Sequence, residues 1–438
     1  MGQGRYDAAV IGAGMGGMCA TALLTHAGYK VLLVEKLPQL GGRCSTIEYK
    51  GYKIPHVAQE QPLYGPPAMV WREVGAEFDV APQDPIVYRI KGQDYELPPK
   101  GQFGAALRAC CKDEAEFDRI RNALRRAATW LEPSSSLTFR DWLFQYTDNE
   151  TLLALFDNLW GALVIVRMHE VPAKDVIGFY RLGLREWSVA TRPRRGNLAL
   201  MESLAKVIRA KGGQIWTRSA VKRILTTGGE VKGIGVDKEG AEVEVMAKAV
   251  ISNTGPIKTM ELVGEEKLDR GYVKELKENI RPGCLILISF AADKPLIKYT
   301  GGLGPVGSRV VVNISCLSYT CEVAPPGKYF HTAEVMPTTE IGPLDLNKEV
   351  EFAMEDLREN IPNFEKDAEL LHIGCFPGNW PGHRNLMGYD PPQKTPIENL
   401  YNVGDGVLPY GQCGTPGSAI SARIVVEDIK TRFKPTEA

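Results

Sequence analysis

The 438 residues contain no CxxC, no HxxxH and no HExxH pattern. Six scattered histidines without such spacing give a structural zinc site no support. Nine cysteines, an odd number with Cys110 and Cys111 adjacent, do not read as a disulfide framework, and a reducing, cytoplasmic compartment is expected. Charge of one sign is also missing. The 52 Lys and Arg against 53 Asp and Glu leave a net charge of −1, which argues against a nucleic-acid-binding chain and against a solvated acidic polymer. Long apolar runs are lacking too. The stretch 8–25 is uncharged but holds four glycines and few large apolar side chains, so it reads as neither a signal h-region nor a membrane span. With 44% hydrophobic and 24% charged residues, the composition is that of a folded chain. The length suggests two or three domains, or one large domain carrying an insertion.

The opening residues show strand, Gly-rich turn, helix and strand: apolar runs at 6–11 and 31–35 flank a helical stretch over 15–26 closed by Gly28. That is a βαβ unit with a parallel pair. A hairpin is expected over 47–54, turning at Lys50-Gly51. From about 60 to 190 the periodicity becomes helical, over 113–131, 138–146, 150–164 and 173–184, and reads as an inserted cap. An amphipathic helix over 197–211 precedes strands at 214–217, 221–225, 231–236, 242–246 and 249–252. Further strands are expected at 285–290, 309–313, 329–335 and 399–403, with helices over 347–360 and 415–430.

Three motifs carry chemistry. Gly12-Ala13-Gly14-Met15-Gly16-Gly17 is a GxGxxG between a strand and a helix. In such a turn Gly12 serves the tight bend, Gly14 the approach of a pyrophosphate and Gly17 helix–strand packing. The phosphates of a dinucleotide meet free N–H groups at the helix N-terminus. Glu35, at the end of the second strand, suits a ribose hydroxyl. A second match, Gly302 to Gly307, contains a proline and has no helix after it, so it is set aside. Gly41-Gly42-Arg43 then offers an arginine for a diphosphate. Near the C-terminus, Gly404-Asp405 ends a strand, and Gly414-Thr415-Pro416-Gly417-Ser418 opens a helix. Thr415 is expected as N-cap and Pro416 as the first helical residue, leaving the N–H groups of Gly417 and Ser418 free.

Together these blocks resemble the FAD-binding fold of the phytoene desaturase and amine oxidase superfamily of flavoproteins. The resemblance covers about 1–60, 193–262 and 393–435. Ala249 to Pro256 and the Ala324-Pro325-Pro326-Gly327-Lys328 segment are closest to its phytoene desaturase and carotenoid isomerase subgroup. It implies an α/β fold, a Rossmann-like FAD-binding domain of the GxGxxG type with an inserted α+β substrate domain and a helical cap. The implied division assigns 1–75, 190–262 and 385–438 to the FAD-binding domain, and 76–189 and 263–384 to substrate and cap. The implied cofactor is FAD, and its contacts are the six GxGxxG residues, Glu35, Lys36, Gly42, Arg43, Val221, Gly404, Asp405, Gly414, Thr415, Gly417 and Ser418. Val221 belongs to the strand whose backbone meets the adenine, and the last helix points its start at the flavin pyrimidine ring. The implied activity is hydride removal from a small apolar or alicyclic substrate to form C=C. Oxygen, a quinone or a redox protein is the acceptor. Amine oxidation to C=N, non-redox isomerisation and a non-catalytic FAD-binding role stand as alternatives. The chain departs from the family's pattern where Arg195-Gly196-Asn197 replaces its usual Gly-Gly pair, and it is shorter than most carotenoid desaturases. These departures leave the substrate open.

No dedicated NAD(P)H domain is expected, since no second credible GxGxxG occurs. Arginines at 181, 185, 192, 194 and 195, and at 119, 121, 125 and 126, read mainly as solvated helix faces, with an anionic substrate or a peripheral contact with lipid headgroups as the alternative. Trp142, Trp160, Trp187 and Trp380 read mainly as core, with the lining of an apolar cavity as the alternative. Cys413 lies where a covalent flavin link is conceivable. His169, His331, Tyr319 and Tyr410 are acid–base candidates, Tyr410 alone favoured by position. The catalytic base is left unassigned.

Overall fold

The computed structural model describes residues 5–98, 102–130, 132–134, 136–183, 189–339 and 343–436. Arg185 and Trp187 lie outside the described residues. Among the described residues, two seven-stranded sheets organise the chain.

The first sheet runs in the order Gln214–Trp216, Val31–Val34, Tyr6–Ile11, Ala241–Ser252, Glu230–Lys238, Ser219–Thr227, with Leu400–Asn402 paired to Ala241–Ser252. Its centre is parallel: Ala8 pairs with Val31 on one side and with Ala249 on the other. Tyr6–Ile11 and Val31–Val34 are buried on both faces, as strands covered by helices must be, so they read as continuous apolar runs. The covering helix Met15–His26 is almost wholly buried, with Thr25 the last buried residue before the left-handed Gly28 (φ 87°). It packs in one core with Asn197–Ala210, Gly414–Arg432 and Trp71 of the helix Pro66–Val74.

One expectation is corrected here. The strands read at 242–246 and 249–252 are a single strand, Ala241–Ser252. Its first half alternates between exposed and covered positions in an antiparallel meander. Its second half is buried on both faces in the parallel centre, and this change of pattern looks like a break in the sequence.

The second sheet runs Glu369–Phe376, Leu285–Ala292, Tyr329–Val335, Val311–Cys316, Leu303–Pro305, Val87–Ile90, Gln93–Tyr95. Alternation gives it two unlike faces. Phe290, Ile314, Ala333 and Val335 pack under Ala353 and Leu357 of the helix Leu346–Asn360. Ser289, Asn313, Ser315, Thr332 and Glu334 take the opposite face, registered as Asn313 beside Glu334 and Ser315 beside Thr332. The segment read as a helical cap also contributes strands: Val87–Ile90 and Gln93–Tyr95 to this sheet, and Val80–Pro82 to a small three-stranded sheet with Gln61–Pro62 and Ala190–Pro193. Its helices Glu114–Thr129, Phe139–Phe144 and Glu150–Val164 begin on side-chain caps legible in the sequence, with Asp113, Thr138 and Asn149 accepting from backbone N–H groups. Trp142 and Trp160 lie in the core of this bundle.

Candidate active site

The C-terminal ends of the parallel strands open into a groove, the position where open α/β sheets bind ligands. Its outer part is lined by Gly12, Glu35, Lys36, Gly42 and Val221, its inner part by Met15, Gly16, Asp405, Gly414, Thr415 and Ser418. Gly14, Arg43 and Asn253 line both parts. Ala13, Gly17, Gly404 and Gly417 stand behind the wall.

The turn geometry is set by backbone needs. Gly12 has φ 92°, a conformation that disfavours any Cβ. A Cβ on Gly17 would sit 2.0 Å from the Gly12 carbonyl oxygen, so this glycine is where helix meets strand. A Cβ on Gly14 would first meet the Asn253 side-chain amide, at 2.5 Å, rather than open groove. Gly14 therefore leaves room for Asn253 while it lines both parts of the groove. With its amide oriented so that Oδ1 accepts from the Gly14 N–H and Nδ2 donates to the Val403 carbonyl, both at 3.2 Å, Asn253 ties the N-terminal turn to the C-terminal strand. Sequence reasoning missed it.

Glu35 is buried. Its Oε2 accepts from the Ala13 N–H at 2.7 Å and its Oε1 from the Leu37 N–H at 2.8 Å, which leaves lone pairs on both oxygens facing the groove. Lys36 lies 5.4 Å from the Trp380 ring centroid, and Trp380 lines the groove while packing against the apolar cluster of Val57, Leu285, Leu287 and Phe376.

Arg43 and Asp405, both among the expected cofactor contacts, hold each other. Arg43 Nη1 and Nη2 donate to Asp405 Oδ2 and Oδ1, each at 2.5 Å, and Nη1 also donates to the Gly382 carbonyl at 2.7 Å. The Arg384 N–H donates to Asp405 Oδ2 at 2.9 Å. Burial alone would raise the Asp405 pKa, but the Arg43 guanidinium outweighs it and holds the carboxyl well below the usual carboxylate range. Arg384 supplies a second guanidinium to the outer groove. Burial first, then Arg43, pushes its pKa down to about 10, and its Nε is buried without a hydrogen-bond partner. In the groove that Gly14 also lines, Arg384 thus stands in excess over the Arg43–Asp405 pair.

The last helix begins earlier than expected. It spans Gly414–Arg432, with Cys413 in extended conformation as N-cap, so Thr415 is its second residue and does not cap. The Thr415 hydroxyl donates instead to Gln61 Oε1 at 2.8 Å. The Gly417 N–H donates to the Cys413 carbonyl at 3.0 Å, so it is not free, and a Cβ on Gly417 would meet Leu408 Cδ2 at 2.6 Å. The helix-start N–H groups without an intrahelical acceptor belong to Gly414 and Thr415. A Cβ on Gly414 would meet nothing within 4 Å, and Gly414 lines the cavity.

The inner cavity also meets residues that the motifs did not flag: Gln59, Glu60, Ala162, Leu163, Ile165, His383 and Glu334. The expected acid–base candidates lie elsewhere. The Tyr410 hydroxyl donates to Glu132, and the Tyr319 hydroxyl to the Ile297 carbonyl at 2.7 Å. His331 stacks on Phe290 in the second sheet, and His169 stands 4.0 Å from Glu170. The arginine groups disperse. Arg181 faces Glu132, Arg194 and Arg195 face Asp79, Arg121 faces Asp118, and Arg192 is buried against Glu60. Among the described residues no group of three metal-ligating side chains converges, and no helix is long and apolar enough to cross a membrane.

Comparison with known proteins agrees with this fold. The family of NAD(P)-binding Rossmann-like domains matches residues 10–63. The zeta-carotene-forming phytoene desaturase of Myxococcus xanthus is 24% identical, over 98% of this chain and 94% of its own. The crystal structure of an oxidoreductase from Methanosarcina mazei superposes with a TM-score of 0.86 at 28% identity, covering 96% of this chain and 99% of that one. Putrescine oxidase with putrescine bound shares the fold at a TM-score of 0.73 and 16% identity, over 98% and 99% of the two chains. In sequence the chain is thus similar to a phytoene desaturase and in fold to flavin amine oxidases, likenesses that support the FAD-dependent oxidoreductase superfamily.

Proposed function

We propose that the groove holds FAD and that the protein transfers a hydride between that cofactor and a small, largely apolar substrate, making C=C in the dehydrogenating direction. The observation that supports this most is the Arg384 guanidinium, which lines the same groove as Gly14 in excess over the Arg43–Asp405 pair. Arg384 has a buried, unpartnered Nε where a diphosphate would lie. Glu35 would take ribose hydroxyls, and Val221, Lys36 and Trp380 would border the adenine end. The Gly414 and Thr415 N–H groups would face the flavin, whose chemistry is to accept or return a hydride. Val57, Ala162, Leu163 and Ile165 give the inner cavity apolar walls, which suits a hydrocarbon substrate better than an amine. The roles of 1–75, 190–262 and 385–438 in holding FAD, and of the remainder in holding substrate, are part of the same proposal.

Gently purified protein should release one FAD per chain on extraction. Recovery of FMN or NAD, or no uptake of added FAD, sinks the proposal. Gly414→Leu should fill the space that the ring needs. The helix start should tolerate it at a cost of about 1–2 kcal/mol for the positive φ, while FAD affinity drops at least about tenfold, or about 1.4 kcal/mol. Equilibrium titration with FAD beside thermal unfolding separates the two effects. Parent-like affinity would show that this helix start does not seat the flavin. Gly417→Leu, facing Leu408, should instead lower stability first.

A further inference from the structure

We infer that Glu334 is the group that exchanges the proton accompanying hydride transfer, an inference that rests on the proposed FAD-dependent reaction. Glu334 projects from the polar face of the second sheet and lines the inner cavity together with Gly14, Gly16 and Gly414. Its Oε1 accepts from Gln59 Nε2. The Thr332 hydroxyl donates to Gln59 Oε1 at 2.6 Å, which fixes the Gln59 amide with its NH₂ toward the carboxyl.

The other ionisable groups of the cavity are unsuited. Cys44 is buried and its thiol pushed up to about 12. Asp405 is committed to Arg43. Glu60 is paired with Arg192 Nη2 at 3.1 Å. Burial pushes His383 down to about 4, so at neutral pH it carries no proton to give beyond its neutral form. Glu334 has the opposite character: burial first, then the Glu60 carboxylate, push it up to about 8, against the pull of Arg192, Gln59 and Asn313. Its titratable and charged surroundings are Glu60 and Arg192, His372 one row along the same sheet face, and, across the cavity, His383 with the Arg43–Asp405 pair.

The step balances. In dehydrogenation one carbon gives up a hydrogen with its electron pair to the flavin. The neighbouring carbon gives a proton to a Glu334 carboxylate oxygen, and the electron pair left behind becomes the second bond of C=C. In the opposite direction the Glu334 carboxylic acid returns that proton. At pH 7 Glu334 is mainly protonated, so the site stands ready to saturate a double bond, and dehydrogenation should gain as pH rises through about 8.

The test needs no substrate. The FAD midpoint potential is measured from pH 6 to 10 in the parent, Glu334→Gln and Glu60→Gln. Two electrons placed beside the carboxylate favour its protonated form, so above about pH 8 the parent should take up one proton more per two electrons than Glu334→Gln does. Glu60→Gln removes a negative neighbour and leaves Arg192 unpaired, so it should move that window to lower pH. Should Glu334→Gln fail to fold, the Glu60→Gln shift decides. FAD uptake with the same proton count in parent and Glu334→Gln, or an unmoved window in Glu60→Gln, overturns the role of Glu334 alone. A parent that binds no FAD overturns the proposed function and this role with it.

Discussion

Arg43→Ala should cost about 3 kcal/mol of folding stability, the lower end of the range for breaking a buried ion pair, because each partner keeps some 15% exposure. The substitution leaves the Asp405 carboxylate buried with the Arg384 N–H as its remaining strong donor. The pH dependence should change sign. In the parent, Asp405 has a depressed pKa, so its contribution is present above the unfolded value near 4 and lost as pH falls below it. Without Arg43, burial dominates and raises that pKa above the unfolded value. The variant should then recover part of its deficit as pH falls toward 4, where Asp405 accepts a proton. Chemical denaturation at pH 7 and pH 4.5 measures both effects. A deficit equal at the two pH values would show that Asp405 does not depend on Arg43.

The second large effect is expected from one methyl group. Gly17→Ala places a Cβ 2.0 Å from the Gly12 carbonyl oxygen, a backbone atom that cannot swing aside. The helix Met15–His26 must lift from the strand Tyr6–Ile11, and it shares its buried surface with Gly414–Arg432, so the displacement spreads through one core. Overpacking of this kind costs about 3 kcal/mol or more. We expect little soluble protein at 37 °C and no FAD retention. Gly75→Ala is the control: its Cβ would meet nothing within 4 Å, although its positive φ of 75° adds a strain that the helical Gly17 does not carry. A Gly17→Ala protein as stable as this control would mean that helix and strand are not packed as described.

The βαβ unit was legible because its cues are local: an apolar run, a Gly-rich turn and a second apolar run within thirty residues. The start of the last helix misled for the same reason. Thr415-Pro416 has the form of an N-cap pair, but Cys413 adopts the extended conformation and Gly414 the positive φ, so the helix begins on them. Asn253 lies in the Ala249 to Pro256 block, but nothing local in that block assigns it a partner. Its position against Gly14 and Val403 follows from parallel pairing between distant strands. Glu334 is one acidic residue in an apolar strand, and its raised pKa depends on burial and on Glu60, which the sequence places 274 positions away. Arg43 and Asp405 were both found, but their mutual pairing is a tertiary fact that neither motif contains.

The strand Ala241–Ser252 bears on how the protein is made. Ala8 faces Ala249 across the middle of the first sheet, more than half the chain away, and Ile251 then waits for Tyr401. Ribosomes add about 5–20 residues per second, so Tyr6–Ile11 spends on the order of ten seconds or longer after synthesis with one hydrogen-bonding edge open. Contacts of such sequence separation form slowly, and an open apolar edge recruits other strands in the meantime. A nascent or truncated chain that stops before residue 241 thus carries the whole dinucleotide motif without the strand that closes it. Such a chain is a substrate for chaperones or for aggregation, not a folded nucleotide-binding unit.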